Sequence, residues 1–287
     1  MPASDSTSIF RASNGVEFNG SFIFYQHVRK AGGTGFCDLA RRNMKRAEVP
    51  PYYCMPDRRG SLVTPPYDQT RHLADEMASK GYRVAANEWD VYYKRIGGLP
   101  GVVLATTLRD PLDRWYSQYR FEHLEHRDGS SAFDSIVPFK DYYNGHRGWA
   151  QGDNYYVKTF YGEPHAHPEP RNNDFYWSFH KYRFKKVPWE MFLSAIHNLR
   201  SFHLVLVLEW MSYFAPVIER ELGWTKSARQ VLPHESQNVR GNKTSPSARQ
   251  VLSSYDLNFV LDLNWQDLLF YHLARRMALD KHFCHAF

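Results

Sequence analysis

Three observations predict an α/β protein with a central, mostly parallel sheet flanked by helices. Residues 22–28, 102–108 and 202–208 are apolar at successive positions rather than alternating, as parallel strands covered on both faces require. Helical patterns lie between and after them, near 35–46, 68–80, 111–127, 188–199, 211–222 and 264–280. The first apolar run also ends in a glycine turn that opens into a helix, the order in which a backbone makes an anion cradle.

Taken in order, residues 1–19 read as an N-terminal tail and 20–287 as a single domain. The stretch 24–36, FYQHVRKAGGTGF, places Lys30 before Gly32, Gly33 and Gly35 rather than after them, so it is not G-x-x-x-x-G-K-[ST]. The backbone amides of Gly32 to Gly35 and the Thr34 hydroxyl offer donors to one phosphate-like group, and Lys30 can point at an atom beyond it. A shorter apolar stretch, 82–86, predicts a fourth strand, closed by Asn87 and Glu88.

The helix after the 102–108 strand is the best specified. Asp110 is a natural N-cap, Pro111 suits the first helical position, and Asp113 is placed to reach back to the helix start. Leu112, Trp115, Tyr116, Tyr119 and His123 form its core-facing stripe. Arg109 at the strand end and Ser117 two turns into the helix stand at the crevice where open α/β sheets bind ligands, a second grip for a second phosphate.

Residues 143–183, rich in Tyr, Trp, His, Asn and Pro, read as a loop-rich aromatic insertion with a helical hairpin. The six residues from Ser227 to Leu232 recur identically from Ser247 to Leu252, which suits two serine-capped helix starts. Among the fourteen histidines, His165, His167 and His180 fall in a proline- and asparagine-rich segment without metal-ligand spacing, so no metal is expected.

The composition narrows the classes. No stretch of about 18 apolar residues predicts a membrane span, and the first residues lack the basic-then-apolar pattern of a signal peptide. A net charge of +6 suits anionic partners, but the basic residues come in short groups such as Arg41-Arg42 and Arg275-Arg276. With no RNP, zinc-finger or helix-turn-helix pattern, nucleic acid is not an expected partner. Three cysteines without a C-x-x-C argue against a disulfide framework and fit a reducing compartment; a single Cys37–Cys54 bridge is the open alternative.

The two grips also carry a resemblance. His27-Val-Arg-Lys30-Ala-Gly-Gly-Thr34-Gly-Phe36 resembles the first phosphosulfate motif of sulfotransferases, commonly H-I-P-K-T-G-G-T-S, with Arg29 in place of proline and Gly35 in place of serine. Arg109-Asp-Pro-Leu-Asp-Arg114-Trp-Tyr-Ser117-Gln-Tyr119 resembles the second, R-D-P-x-x-R-x-x-S-x-Y. The segments 153–160, 202–209 and 221–224 are similar to later parts of Golgi carbohydrate sulfotransferases, nearest the heparan sulfate 2-O- and galactose 3-O-sulfotransferase groups. The resemblance spans about residues 20–275.

It implies a P-loop-like nucleotide-binding sulfotransferase fold, with 3′-phosphoadenosine 5′-phosphosulfate as donor and no metal. Arg29, Lys30, Ala31, Gly32, Gly33, Thr34, Gly35, Arg109 and Ser117 would bind the donor, and Arg240 and Lys243 would belong to a late basic loop closing over the nucleotide. Lys30 would stabilise the leaving oxygen and Glu88 would act as base, with His27 the second candidate; Trp89 beside Glu88 and a neighbouring arginine pull that assignment in opposite directions. The acceptor would be a hydroxyl, of a carbohydrate first and of a small molecule or tyrosine second. Location would be cytoplasmic, or the Golgi lumen if a membrane anchor precedes this sequence. A P-loop-like kinase or NTPase, and an inactive anion-binding module, are the alternatives from other classes.

Overall fold

The computed structural model describes residues 10–11, 17–18, 22–56, 77, 79–88, 91–92, 94–98, 101–120, 138–139, 141, 154–162, 187–226 and 247–284. Its centre is a parallel four-stranded sheet made of β3 (Phe22–Gln26), β4 (Val84–Asn87), β5 (Val102–Leu108) and β6 (Leu204–Val207), in the order β4-β3-β5-β6. All four expected strands are present and parallel. β1 (Phe10–Arg11) and β2 (Glu17–Phe18) form a separate antiparallel pair inside the stretch read as a tail.

The chain moves from β3 outward to β4, then crosses back to the other side of β3 to lay down β5. The direction of winding therefore reverses between β3 and β5, and at such a switch point the loops leaving the strand ends part and leave a crevice. β3 is buried along its whole length, and side-chain alternation sends Phe24 and Tyr25 to opposite faces. Tyr25 stacks on Phe36 of α1 (Gly33–Asn43) at 4.0 Å, and Phe36 meets Trp224. Phe24 meets Tyr92, which leads through Phe202 to Phe160 and Phe270. That second face is built from α3 (Tyr155–Tyr161), α4 (Trp189–Arg200) and α8 (Trp265–His282).

The helices after β5 and β6 differ in detail from the sequence reading. α2 (Pro111–Arg120) starts where expected, with Asp110 Oδ1 accepting from the amides of Leu112 (2.9 Å) and Asp113 (3.3 Å). Asp113 does not reach back to its own helix. Its Oδ1 accepts from the amide of Ala248 at 2.7 Å and so caps α6 (Ala248–Val251), because the chain returning into α6 brings an unpartnered N–H within reach. A small second core of Leu112, Trp115, Phe139, Ala248 and Val260 lies between α2, α6 and α7 (Ser254–Leu263). The helix expected at 211–222 divides into a 3₁₀ turn, Leu208–Phe214, and α5 (Ala215–Leu222), with Pro216 in the first turn of α5 where a missing N–H costs nothing.

Cys37 of α1 is bridged to Cys54, with 5.6 Å between the Cα atoms. The cysteine count therefore no longer favours a reducing compartment; the single-bridge alternative is the one present. The Cys54 carbonyl accepts from the Ala86 amide at 2.7 Å, so the bridge ties α1 to the outer edge of β4. Among the described residues no helix is long and apolar enough to cross a membrane.

Candidate functional site

The loop after β3 is shaped by packing. Val28 and Ala31 are fully buried, and the Ala31 amide donates to the Val28 carbonyl at 3.2 Å, folding the chain tightly back towards α1. Lys30 sits in the left-handed region at φ 60° and Gly32 at φ 92°, so two of three successive residues adopt a conformation that L side chains avoid. A Cβ on Gly32 would lie 2.7 Å from Leu208 Cδ1 at the end of β6. A Cβ on Gly33 would fall inside the imidazole of His27. The ring of His27 is thus the surface against which the glycine turn is moulded, and glycine is required because that ring and the Leu208 side chain fill the space a Cβ would need.

That packing leaves the start of α1 open. Among the described residues no side chain caps the helix, and its first turn holds no acidic residue, so nothing described there takes up the first amides or opposes the positive end of the helix. His27 itself is 5% exposed, and its Nδ1 has no hydrogen-bond partner among the described residues. Burial pushes its pKa down, with Glu88 opposing and Arg29 and Lys30 adding to the shift. A buried neutral ring beneath a cationic loop suits an anion held above it. It does not suit a base that must touch an acceptor.

Glu88 follows β4 directly, and its Oε1 lies 3.8 Å from Arg29 Nε, both side chains being largely buried. Register explains the meeting: Gln26 of β3 is paired with Asn87 of β4, and Gln26 and Asn87 also exchange side-chain hydrogen bonds. The residues just beyond each strand end therefore leave the sheet side by side. Glu88 has the arginine partner that the sequence left open; Trp89 lies outside the described residues.

The end of β5 is defined by hydrogen bonds instead. The Tyr156 hydroxyl donates to the Arg109 carbonyl at 2.6 Å and accepts from the Arg109 amide at 3.2 Å. The next amide, Asp110, donates to Glu209 Oε1 at 2.8 Å, and Glu209 Oε2 accepts from the Tyr271 hydroxyl at 2.7 Å. Arg249 Nη1 stands 3.0 Å from Asp110 Oδ2. So held, Arg109 projects its guanidinium across the switch point, where Nη1 donates to the Lys30 carbonyl at 3.4 Å. The two grips expected from the sequence are brought together there. Ser117 is half-buried on α2, and Arg240 and Lys243 lie outside the described residues.

The residues that sequence reasoning missed sit underneath. Arg114 is fully buried, with its guanidinium 4.3 Å from the ring of Tyr155 and 5.5 Å from that of Tyr156. Asp267, also fully buried, accepts from the amides of Tyr156 (2.9 Å) and Val157 (3.0 Å) at the start of α3. Asn154 returns the favour, its Oδ1 accepting from the Asp267 amide at 3.1 Å in the first turn of α8. Two helix starts cap each other. Burial raises the Asp267 pKa to about 6 against the pull of those amides and of Arg114. The Asn154-Tyr155-Tyr156 run lies in the segment 153–160 that carries part of the resemblance, but the only local hint of its partner is an aspartate in the first turn of a late helix.

Among the described residues no group of three or more His, Cys, Asp or Glu could hold a metal ion. No known family model matches the sequence, and no curated protein matches it at a significant level.

Proposed function

We propose that the protein is a sulfotransferase, moving a sulfuryl group from 3′-phosphoadenosine 5′-phosphosulfate to a hydroxyl of a carbohydrate acceptor. The observation that carries this reading is the meeting of two anion grips at one switch point, Arg109 Nη1 standing 3.4 Å from the carbonyl of Lys30. A donor with one phosphate on each side of a ribose needs two such grips close together. The residues fit it: among the described residues no side chain caps the start of α1, its first turn holds no acidic residue, and the turn before it leaves no room for a Cβ.

The donor, when bound, supplies an activated sulfuryl group. The amides of Gly33, Thr34 and Gly35 and the Thr34 hydroxyl hold its 5′-phosphate, while Arg109 and Ser117 hold the 3′-phosphate. Lys30 places positive charge on the bridging oxygen as the sulfur–oxygen bond breaks. Glu88 takes the proton of the acceptor hydroxyl as its oxygen bonds to sulfur. Arg240 and Lys243 contribute from the late basic loop. Its chain is anchored at one side through Lys226, whose amide donates to Asn43 Oδ1 at 2.8 Å, and at the other through Ala248.

Calorimetry with adenosine 3′,5′-bisphosphate, with AMP and ATP–magnesium as controls, tests the reading. Binding of the bisphosphate well above AMP is expected. Preference for ATP with magnesium would favour phosphoryl transfer, and no binding would favour an inactive anion-binding module. Glu88→Gln then separates a base from an ion-pair partner. The rate should fall by roughly 10²–10⁴ with donor affinity kept, whereas an unchanged rate would leave Glu88 only its pairing with Arg29.

A further inference from the structure

The first turn of α3 presents two adjacent tyrosines, and each hydroxyl ends on the backbone of a different anion-binding loop. Tyr156 both donates to the Arg109 carbonyl and accepts from the Arg109 amide. The Tyr155 hydroxyl lies close to the backbone of Arg29 in the loop after β3, near enough to feel its dipole and charge. Neither hydroxyl can move independently, because both rings lie against the buried guanidinium of Arg114 and the amides of Tyr156 and Val157 are fixed by Asp267. The sheet alone does not supply this link, since Arg29 and Arg109 lie beyond the last paired residues of β3 and β5.

We propose that Tyr155 and Tyr156 are a positioning pair, setting the distance between the two grips by clamping one loop each from a single helix turn. The inference rests on the reading that both loops serve one ligand with two phosphates. Neither tyrosine touches that ligand. Tyr156 acts by aiming Arg109, and Tyr155 by holding the turn that carries Lys30 and the start of α1. Arg114 and Asp267 are the base on which the pair stands, which gives the second arginine of the R-D-P-x-x-R motif a role inside the protein rather than on the donor.

Tyr155→Phe and Tyr156→Phe keep the rings and remove only the hydroxyls. Calorimetry on the full chain with adenosine 3′,5′-bisphosphate and with AMP should show Tyr156→Phe weakening the bisphosphate by about 5- to 20-fold, the effect of one or two hydrogen bonds. AMP affinity should change less than about twofold, because only the 3′-phosphate grip is mis-aimed. Tyr155→Phe should weaken both ligands. Amide exchange of the ligand-free variants should rise locally, at residues 29–35 for Tyr155→Phe and at 108–112 for Tyr156→Phe. Equal losses for both ligands in Tyr156→Phe, unchanged affinities, or exchange rising throughout α3, α8 and the sheet would overturn the positioning role. Should the wild-type chain bind neither ligand, the sulfotransferase reading falls, and the exchange data alone decide: local rises at the two loops keep the clamp, and none or a general rise removes it.

Discussion

The loop after β3 and the chain after β5 end two neighbouring parallel strands, yet they are fixed by different physics. The first is moulded: Gly32 fits under Leu208, Gly33 fits into the ring of His27, and Lys30 is left in a costly left-handed conformation. The second is tethered: Arg109 and Asp110 are held by Tyr156, Glu209 and Arg249 through bonds of 2.6–3.2 Å. A moulded loop presents bare amides because side chains are excluded from it. A tethered one presents a long side chain because its backbone is spoken for. The difference predicts that the first should fail through steric change and the second through lost hydrogen bonds.

The largest effect is expected at Gly33. Gly33→Ala forces a methyl group into the His27 imidazole, an overpacking cost of about 1–3 kcal/mol, together with loss of bisphosphate binding in calorimetry. His27→Ala in the same chain should return much of the stability. If the double variant is as unstable as Gly33→Ala, the mould is not the His27 ring.

Acid should separate what lies beneath the loops from the opposite end of the sheet. Asp267 has a folded pKa of about 6 against an ordinary 3.8, so its contribution is fully present below pH 4 and lost as pH rises through 6. Relative to Asp267→Asn, the wild type should therefore gain stability on acidification from pH 7 to 4, by about 3 kcal/mol at the limit. His282, buried behind β6, has its pKa pushed down to about 4 by burial. Its contribution is present above pH 6.5 and lost as pH falls through 4, so His282→Phe should flatten a slope of opposite sign. Urea midpoints across this range check both, and slopes of the same sign would break the contrast.

Lys30→Gly sharpens the comparison further. Removing a left-handed lysine should stabilise the chain by about 1 kcal/mol in urea unfolding while ending turnover, so the strain and the charge part company. A destabilised variant would mean that the lysine side chain also holds the fold. The smallest effect is expected at Glu209→Ala, which frees the Asp110 amide and the Tyr271 hydroxyl for about 1 kcal/mol or less. No change in stability at all would mean that the tether is redundant with Tyr156 and Arg249.

The moulded loop was legible in the sequence because its determinants are local. An apolar run, a lysine and three glycines within fifteen residues specify a strand, a tight turn and a helix start. Asp110 and Pro111 likewise announced α2, while β3, β5 and β6 followed from doubly apolar runs and β4 from a shorter apolar stretch. The tether was not legible. Tyr156 meets Asp267 across 111 residues, and Asp110 meets Glu209 across 99, so no period or spacing links the partners. Asp113 shows the same limit from the other side, a first-turn aspartate whose amide partner is 135 residues away. Local pattern gives the shape of a loop; the bonds that aim a side chain from it belong to the tertiary structure.

The reciprocal capping of α3 and α8 has a consequence for the order of assembly. A nascent chain that has emerged through residue 226 already carries all four strands of the sheet and both loops. It does not yet carry the carboxylate that seats Tyr156, or the amide that Asn154 caps. Closing so long a loop in sequence is slow. The two grips should therefore come into alignment late in folding, after the sheet, when α8 docks and locks the helix beneath them.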